Sequence, residues 1–530
     1  MPRIPIFRLG GSGGESELPK LASYTPSLSL EGLQVGIDNL RHDVFLSPKF
    51  VDTLRAQIAR LIAHHGEVDT LLAAEGSGFL SRRRFAGPPV SVSKTQPADL
   101  KAVLTELLVT ALNRAKSESN SAVDLLARVA LIKFLRNELQ AQFNQVLERG
   151  RLMLKNYEGL QHEKALEYRE TVATFQVRKK IILRKVGRDL FLTLLEIEKE
   201  TLIRMRRSLF GDSAHPGYKL FPNRLVFTED GRDDYLSSEH YVMFGNFDKD
   251  PDRFSNLRRI ACIFLQSVNK AKNESVLDAW LNVPENAHAL VGSGSTDDST
   301  PETRGQKARL AAWLGLLEDE RVMEYIIASY EVVPLLVEYA PRINAQQLKN
   351  ALVVRAECDR VEKLIEQHGK LSTASLYAAV GRVVSCRGAD RAKVAARFLR
   401  DFMRYHRDLR RLETLNSVLD SVNLIGNEKL RELSAVNGTL YEFLLPEEQK
   451  PGEDKIVNHV VVKADIRDST RLTRSLMERG QNPASYFSLN FYDPVNKLLP
   501  KYGATKVFLE GDAIILAILD RTTEPGLAVA

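Results

Sequence analysis

The chain has 530 residues, 44% of them hydrophobic and 27% charged, which is the balance of a globular protein with room for about three domains. An excess of 74 basic over 68 acidic residues is too mild to argue for nucleic acid as a partner. Three widely spaced cysteines, Cys262, Cys358 and Cys386, with no Cys-x-x-Cys pair, argue against a disulfide framework or a structural zinc. No apolar run approaches the ~20 residues of a membrane span, and Met1–Gly14 has no apolar signal core, so a cytoplasmic protein without a membrane partner is expected.

Residues 1–30, with Gly10 to Gly14 and scattered prolines, read as a flexible leader, and their glycine cluster lacks the Gly-Lys-Ser/Thr ending of a phosphate loop. A mainly α region is expected over 31–291. Its first helix starts at Ser47-Pro48, carries Val51, Leu54, Ile58, Leu61 and Ile62 on one face, and ends at Gly66. Amphipathic patterns follow from Pro97 to Leu112, Val123 to Leu154 and Lys164 to Leu209. The basic cluster of Arg178, Lys179, Lys180, Arg184, Lys185, Arg204, Arg206 and Arg207 is interleaved with Glu196, Glu198 and Glu200, so it reads as a solvated helix face.

Near 216–254 the pattern turns aromatic and turn-rich, which predicts a short hairpin or a compact loop. The Gly/Ser/Thr/Asp run at 292–305 has linker composition. A helical domain is expected over 306–385. Over 386–445 a long helix is predicted, because Val394, Phe398, Phe402, Tyr405, Leu409, Leu412, Leu415, Leu419 and Val422 recur at three-and-four spacing, as a coiled-coil seam or a packed bundle helix does. A charged linker from Pro446 to Lys455 follows.

The C-terminal residues 456–530 are α+β in pattern. Val460, Val461 and Val462 run as a strand into Asp465. Helices are predicted from Thr470 to Glu478 and, behind the N-cap Asn482, from Pro483 to Leu499, with a kink at Pro494. Asp512, 47 residues after Asp465, tips a Gly-containing turn between the strands Thr505–Leu509 and Ala513–Leu519. Two carboxylates on neighbouring strands suit Mg²⁺ or Mn²⁺ bound to a nucleoside triphosphate, since Mg²⁺ takes only one or two protein carboxylates and the phosphates supply further ligands.

Ala464-Asp465-Ile466-Arg467-Asp468-Ser469-Thr470 and Glu510-Gly511-Asp512-Ala513-Ile514-Ile515, with two helices between them, resemble the first half of the class III nucleotidyl cyclase catalytic domain, the adenylate and guanylate cyclases. The resemblance implies a ferredoxin-like α+β domain, truncated here because the family's domain is longer than the stretch from Ile456 to Ala530. It implies two Mg²⁺ or Mn²⁺ ions per site, held by Asp465, Asp512 and the carbonyl of Ile466. It also implies ATP or GTP bound through the backbone of Arg467, Asp468, Ser469 and Thr470 and through Gly511, and cyclised with release of pyrophosphate. One metal would acidify the hydroxyl nucleophile while the other neutralises the leaving phosphates.

At the position where the family carries a Lys or Glu to read the purine, this chain has Phe508, so purine preference is open. Lys506 and Glu510 lie near, and simple alternation puts Lys506 on the face of Phe508. Because the family acts as dimers, a homodimer through the cyclase domain and the 386–445 helix is implied. The 530-residue chain by itself is expected to be inactive, lacking the family's second-half transition-state groups. The alternatives are a pseudo-cyclase acting as a dimerising regulatory module and a basic helical adaptor.

Overall fold

A serine hydroxyl and a proline start the first helix where the pattern predicts. Ser47 accepts from the Phe50 N–H at 2.9 Å, Pro48 stands at the first helical position, and the Pro48–Gly66 helix closes at Glu67 with φ 59°. The computed structural model describes residues 19–69, 97–158, 162–211, 215–232, 247–269, 273–294, 299–340, 342–369, 371–448, 456–502, 504–510 and 512–521, and the chain divides into two units, 1–445 and 446–530. Among the predicted features, Gly10 to Gly14, Tyr235, Tyr241, Phe244 and Gly511 lie outside the described residues.

The first unit is mainly helical. Pro97–Ser117 and Ser121–Glu158 follow the expected patterns, whereas the single pattern from Lys164 to Leu209 is divided. It comprises helices His162–Val177, Lys179–Ile197 and Ile203–Phe210, the last two joined by a π turn at Glu198–Leu202. Two apolar cores result. The first gathers Phe50, Leu54, Ile58 and Ile62 with Leu104, Leu126, Val129, Leu135 and Leu190. The second is built from Phe264, Trp313, Ile326, Leu348, Val361 and Leu376 around Phe398, Phe402 and Tyr405.

The Gly388–Leu419 helix runs through both, its middle in the second core and Leu415 and Leu419 in the first. Its three-and-four seam is therefore spent on packing inside its own unit. Residues on both sides of the 292–305 run also share the second core. Thr300 caps the Pro301–Asp319 helix with a capping box, and Gln306 Nε2 donates to the His288 carbonyl at 3.1 Å. That helix therefore starts inside the predicted linker.

Three short strands accompany the helices of this mainly α region: β1 (His42–Leu46), β2 (Val422–Leu424) and β3 (Leu440–Phe443) form a parallel sheet in the order β2-β1-β3. Val422, read as the last residue of the long helical seam, begins β2 instead. Asp43 fastens the sheet to its surroundings: its carboxylate accepts from Asn423 Nδ2 at 2.8 Å and from Ile37 N and Ser434 Oγ at 3.0 Å. In the aromatic stretch the described residues form a 3₁₀ turn, Pro216–Leu220, and further turns, and residues 233–246, on which a hairpin or compact loop is expected, lie outside the described residues.

In the second unit β4 (Ile456–Asp465), β5 (Ala504–Glu510) and β6 (Ala513–Arg521) make an antiparallel sheet in the order β4-β6-β5. Between β4 and β5 lie helix Ser469–Glu478, helix Pro483–Phe487, a π turn at Ser488–Tyr492 and helix Asp493–Leu498. Pro494 thus stands in the first turn of a restarted helix, where its missing N–H costs nothing, and the irregularity expected there falls on the π turn just before it. Leu476, Phe487, Ala513 and Ile514 are buried, while Val460, Val461 and Val462 remain exposed.

Among the described residues no helix is long and apolar enough to cross a membrane.

Candidate metal and nucleotide site

Asp465 is the last residue of β4, and it stands opposite Ala513, the first residue of β6. Asp512 therefore lies directly beyond the β4–β6 ladder on the neighbouring strand. The ladder is extended by one more bond, from the Ile466 N–H to the Asp512 carbonyl at 3.1 Å, so the two aspartates lie at the same end of adjacent strands. Asp465 is exposed and Asp512 half-buried. Among the described residues no group of three or more His, Cys, Asp or Glu side chains is gathered to hold a metal.

The chain leaves β4 through Ile466 and Arg467 and turns at Asp468, whose φ of 58° is the left-handed conformation that Asp tolerates better than most residues. Asp468 occupies the N-cap without a side-chain cap bond, and its carbonyl accepts from the N–H groups of Arg471 and Leu472 at 3.0 Å. The N–H groups of Ser469 and Thr470, in the first turn, have no helical carbonyl behind them and carry the positive end of the helix dipole. An anion beside Asp465 would meet them. Arg467 is exposed, and Arg471 lies 3.7 Å from the Asp468 carboxylate in a solvated pair.

Two contributors are invisible in the motif. The Ser469 hydroxyl donates to Asp512 Oδ2, a contact that needs the helix start folded back against the β5–β6 turn. Chiefly through that bond, and also through Asp512's own backbone N–H and the nearby Lys463, the Asp512 carboxyl is held below its ordinary pKa.

The second is a register shift in β5, which overturns the expectation that Lys506 and Phe508 share a strand face. The register of β5 shifts between Lys506, which pairs with Leu516, and Phe508, which pairs with Ile515. Leu516 and Ile515 are consecutive and point to opposite faces, so the extra residue Val507 puts Lys506 and Phe508 on opposite faces of the sheet. Lys506 cannot stand in for a purine reader at Phe508. Phe508 itself is 57% exposed, a large apolar side chain in solvent.

The basic cluster between Arg178 and Arg207, read above as a solvated face, is in part a buried network. Arg206 is buried and its Nη1 donates to Glu198 Oε1 at 2.8 Å. Arg128, also buried, donates from Nη1 to Glu198 Oε2 at 2.8 Å. The partner that converts this face, the Ser121–Glu158 helix, lies too far away in sequence for charge pattern to reveal it. His65, paired at 2.6 Å with Asp189, and the three cysteines, all free thiols, form no second cluster of this kind.

No protein-family model, curated protein or solved structure matches this chain.

Proposed function

We propose that residues 456–521 carry the metal- and triphosphate-binding half of a class III nucleotidyl cyclase domain, and that the protein belongs to the enzymes converting ATP or GTP to a cyclic nucleotide and pyrophosphate. The observation that carries this reading is the adjacency of Asp465 and Asp512 at one end of neighbouring antiparallel strands, tied by the Ile466 to Asp512 backbone bond. The element order strand, helices, strand, strand, with the first strand pairing the third, agrees with the opening of a ferredoxin-like domain.

In this reading Asp465, Asp512 and the Ile466 carbonyl hold two Mg²⁺ or Mn²⁺ ions, and the N–H groups of Ser469 and Thr470 receive the phosphates. Phe508 offers the base a stacking surface and no hydrogen bond. A homodimer, with the exposed β4 valines at or near its contact, would bring two such sites together. Cytoplasmic ATP and GTP are the natural substrates of such a site.

Mn²⁺ binding to the full chain in the presence of a non-hydrolysable ATP or GTP analogue, followed by electron paramagnetic resonance, tests the reading. Asp465→Asn and Asp512→Asn should each weaken binding about tenfold or more, because Asn keeps the shape and removes the charge. Unchanged binding in both variants refutes the site. A second reading, a regulatory pseudo-cyclase, is favoured by Phe508 in the purine-reading position. It predicts nucleotide-dependent Mn²⁺ binding with no cyclic product.

A further inference from the structure

Away from the aspartate site, a cavity opens in the first unit between the helices Pro97–Ser117, Ser121–Glu158 and Lys179–Ile197 and the turn at 221–226. Apolar side chains make most of its wall, among them Leu131, Ile132, Phe191 and Leu195, and two charged groups complete it, Arg128 and Glu198. Pro222 is exposed and Leu194, Leu195 and Phe221 are half-buried, so these residues form the mouth.

The charged end is unusual in its accounting. Arg128 keeps only 7% of its side chain exposed and donates from Nε to Asp124 at 3.2 Å and from Nη1 to Glu198 at 2.8 Å. Arg206 closes on the same Glu198, lies 3.6 Å over the Tyr218 ring, and Tyr218 donates its hydroxyl to Asp124 at 2.7 Å. Two guanidinium groups and two carboxylates therefore balance. Yet Arg128 Nη2, on a residue that lines the cavity, is buried and makes no hydrogen bond, where buried polar atoms nearly always find partners; behind the wall, Arg206 Nε stands 3.7 Å from the Asp124 carboxylate. Glu198 also opens the π turn, with the Ile203 N–H reaching back to its carbonyl, a local distortion that is frequent at functional sites.

We propose that this cavity binds a small neutral, mostly apolar molecule with one polar end, of the class of short aliphatic alcohols and primary amides. The oxygen of such a ligand accepts from the Arg128 guanidinium and its O–H or N–H donates to Glu198, while the alkyl part lies among Leu131, Ile132 and Leu195. A carboxylate is excluded by the charge balance, since it would add an uncompensated buried charge. The space open to water-sized groups is about 40 Å³, room for roughly three of them, so the polar end and first carbons of such a ligand lie inside and the rest of its alkyl part lies in the mouth.

The test uses the full chain with isobutanol, isobutyramide and, as the charged control, isobutyrate at equal concentration, followed by saturation-transfer NMR. Transfer to the methyl groups of the two neutral probes is expected, with isobutyrate about tenfold weaker. Leu195→Trp and Leu194→Phe fill the mouth without touching the charged network, and whichever variant retains the wild-type circular dichroism should lose most of the transfer. The proposal is overturned if wild-type protein shows no transfer, if isobutyrate binds as well as isobutanol, or if a folded mouth variant binds undiminished. The comparison of neutral and charged probes needs no variant, so a misfolding substitution leaves the test intact.

Discussion

Replacing Lys349 by methionine removes the cation that holds two buried aspartates in the second core while nearly preserving side-chain volume. Lys349 Nζ lies 2.9 Å from Asp250 Oδ2 and 2.9 and 3.1 Å from the two oxygens of Asp252, with Lys349 and Asp252 fully buried. Asp250 keeps neutral donors, Gln346 Nε2 at 2.8 Å and Asn350 Nδ2 at 3.3 Å, so the loss falls mainly on Asp252. Breaking a buried ion pair from one side costs about 3–5 kcal/mol, and the variant should lose that much at pH 7.

Burial already raises the Asp252 pKa, with Lys349 opposing the rise, so removing the lysine raises it further. A raised carboxyl pKa means that the folded state binds more protons than the unfolded state between the two values. Stability from this group therefore falls as pH rises, and the deficit of Lys349→Met should shrink from pH 7 to pH 5. The chain's two tryptophans, Trp280 and Trp313, both belong to the second core, so guanidinium unfolding followed by tryptophan fluorescence reports on that core. The double variant Lys349→Met with Asp252→Asn should recover much of the loss. A deficit below about 1 kcal/mol at pH 7, or one that does not change with pH, refutes the assignment of a buried charge-dependent pair.

At the candidate metal site, Ser469→Ala removes the first cause of the low Asp512 pKa, and a carboxyl ¹³C NMR titration should show that value moving up toward the ordinary carboxylate range; no movement would mean that the bond does not form in solution. Thr300→Ala breaks the capping box of the Pro301–Asp319 helix and should cost about 0.5–2 kcal/mol in the same fluorescence assay. Gly231→Ala combines a φ of 74° with a new Cβ 2.4 Å from Leu409 Cδ2, so a destabilisation of at least about 1 kcal/mol is expected on melting. Under the proposed cyclase reading, Phe508→Lys should shift kcat/KM toward ATP and Phe508→Glu toward GTP, while Lys506→Ala should leave the ratio unmoved because it faces away; a shift with Lys506→Ala would contradict the bulge.

What the chain's own residues determined is local. Pro48 behind Ser47, the apolar spacing from Leu126 to Leu139, the Gly-containing turn ahead of Asp512 and the valines leading into Asp465 each act within one or two turns of backbone, so their helices and strands were legible without a fold. Tertiary structure alone decided what depends on partners far along the chain. His42–Leu46 is a strand because β2 and β3, nearly four hundred residues later, flank it. The seam of the Gly388–Leu419 helix is buried in its own unit because helices between 254 and 383 cover it. Arg206 and Glu198 leave solvent because Arg128 arrives from another helix. At the candidate site the two aspartates could be named from sequence, but Ser469 against Asp512 and the opposite faces of Lys506 and Phe508 came from a helix start and a one-residue bulge. Side-chain period predicts a face only while the ladder stays in register, and one inserted residue reverses it.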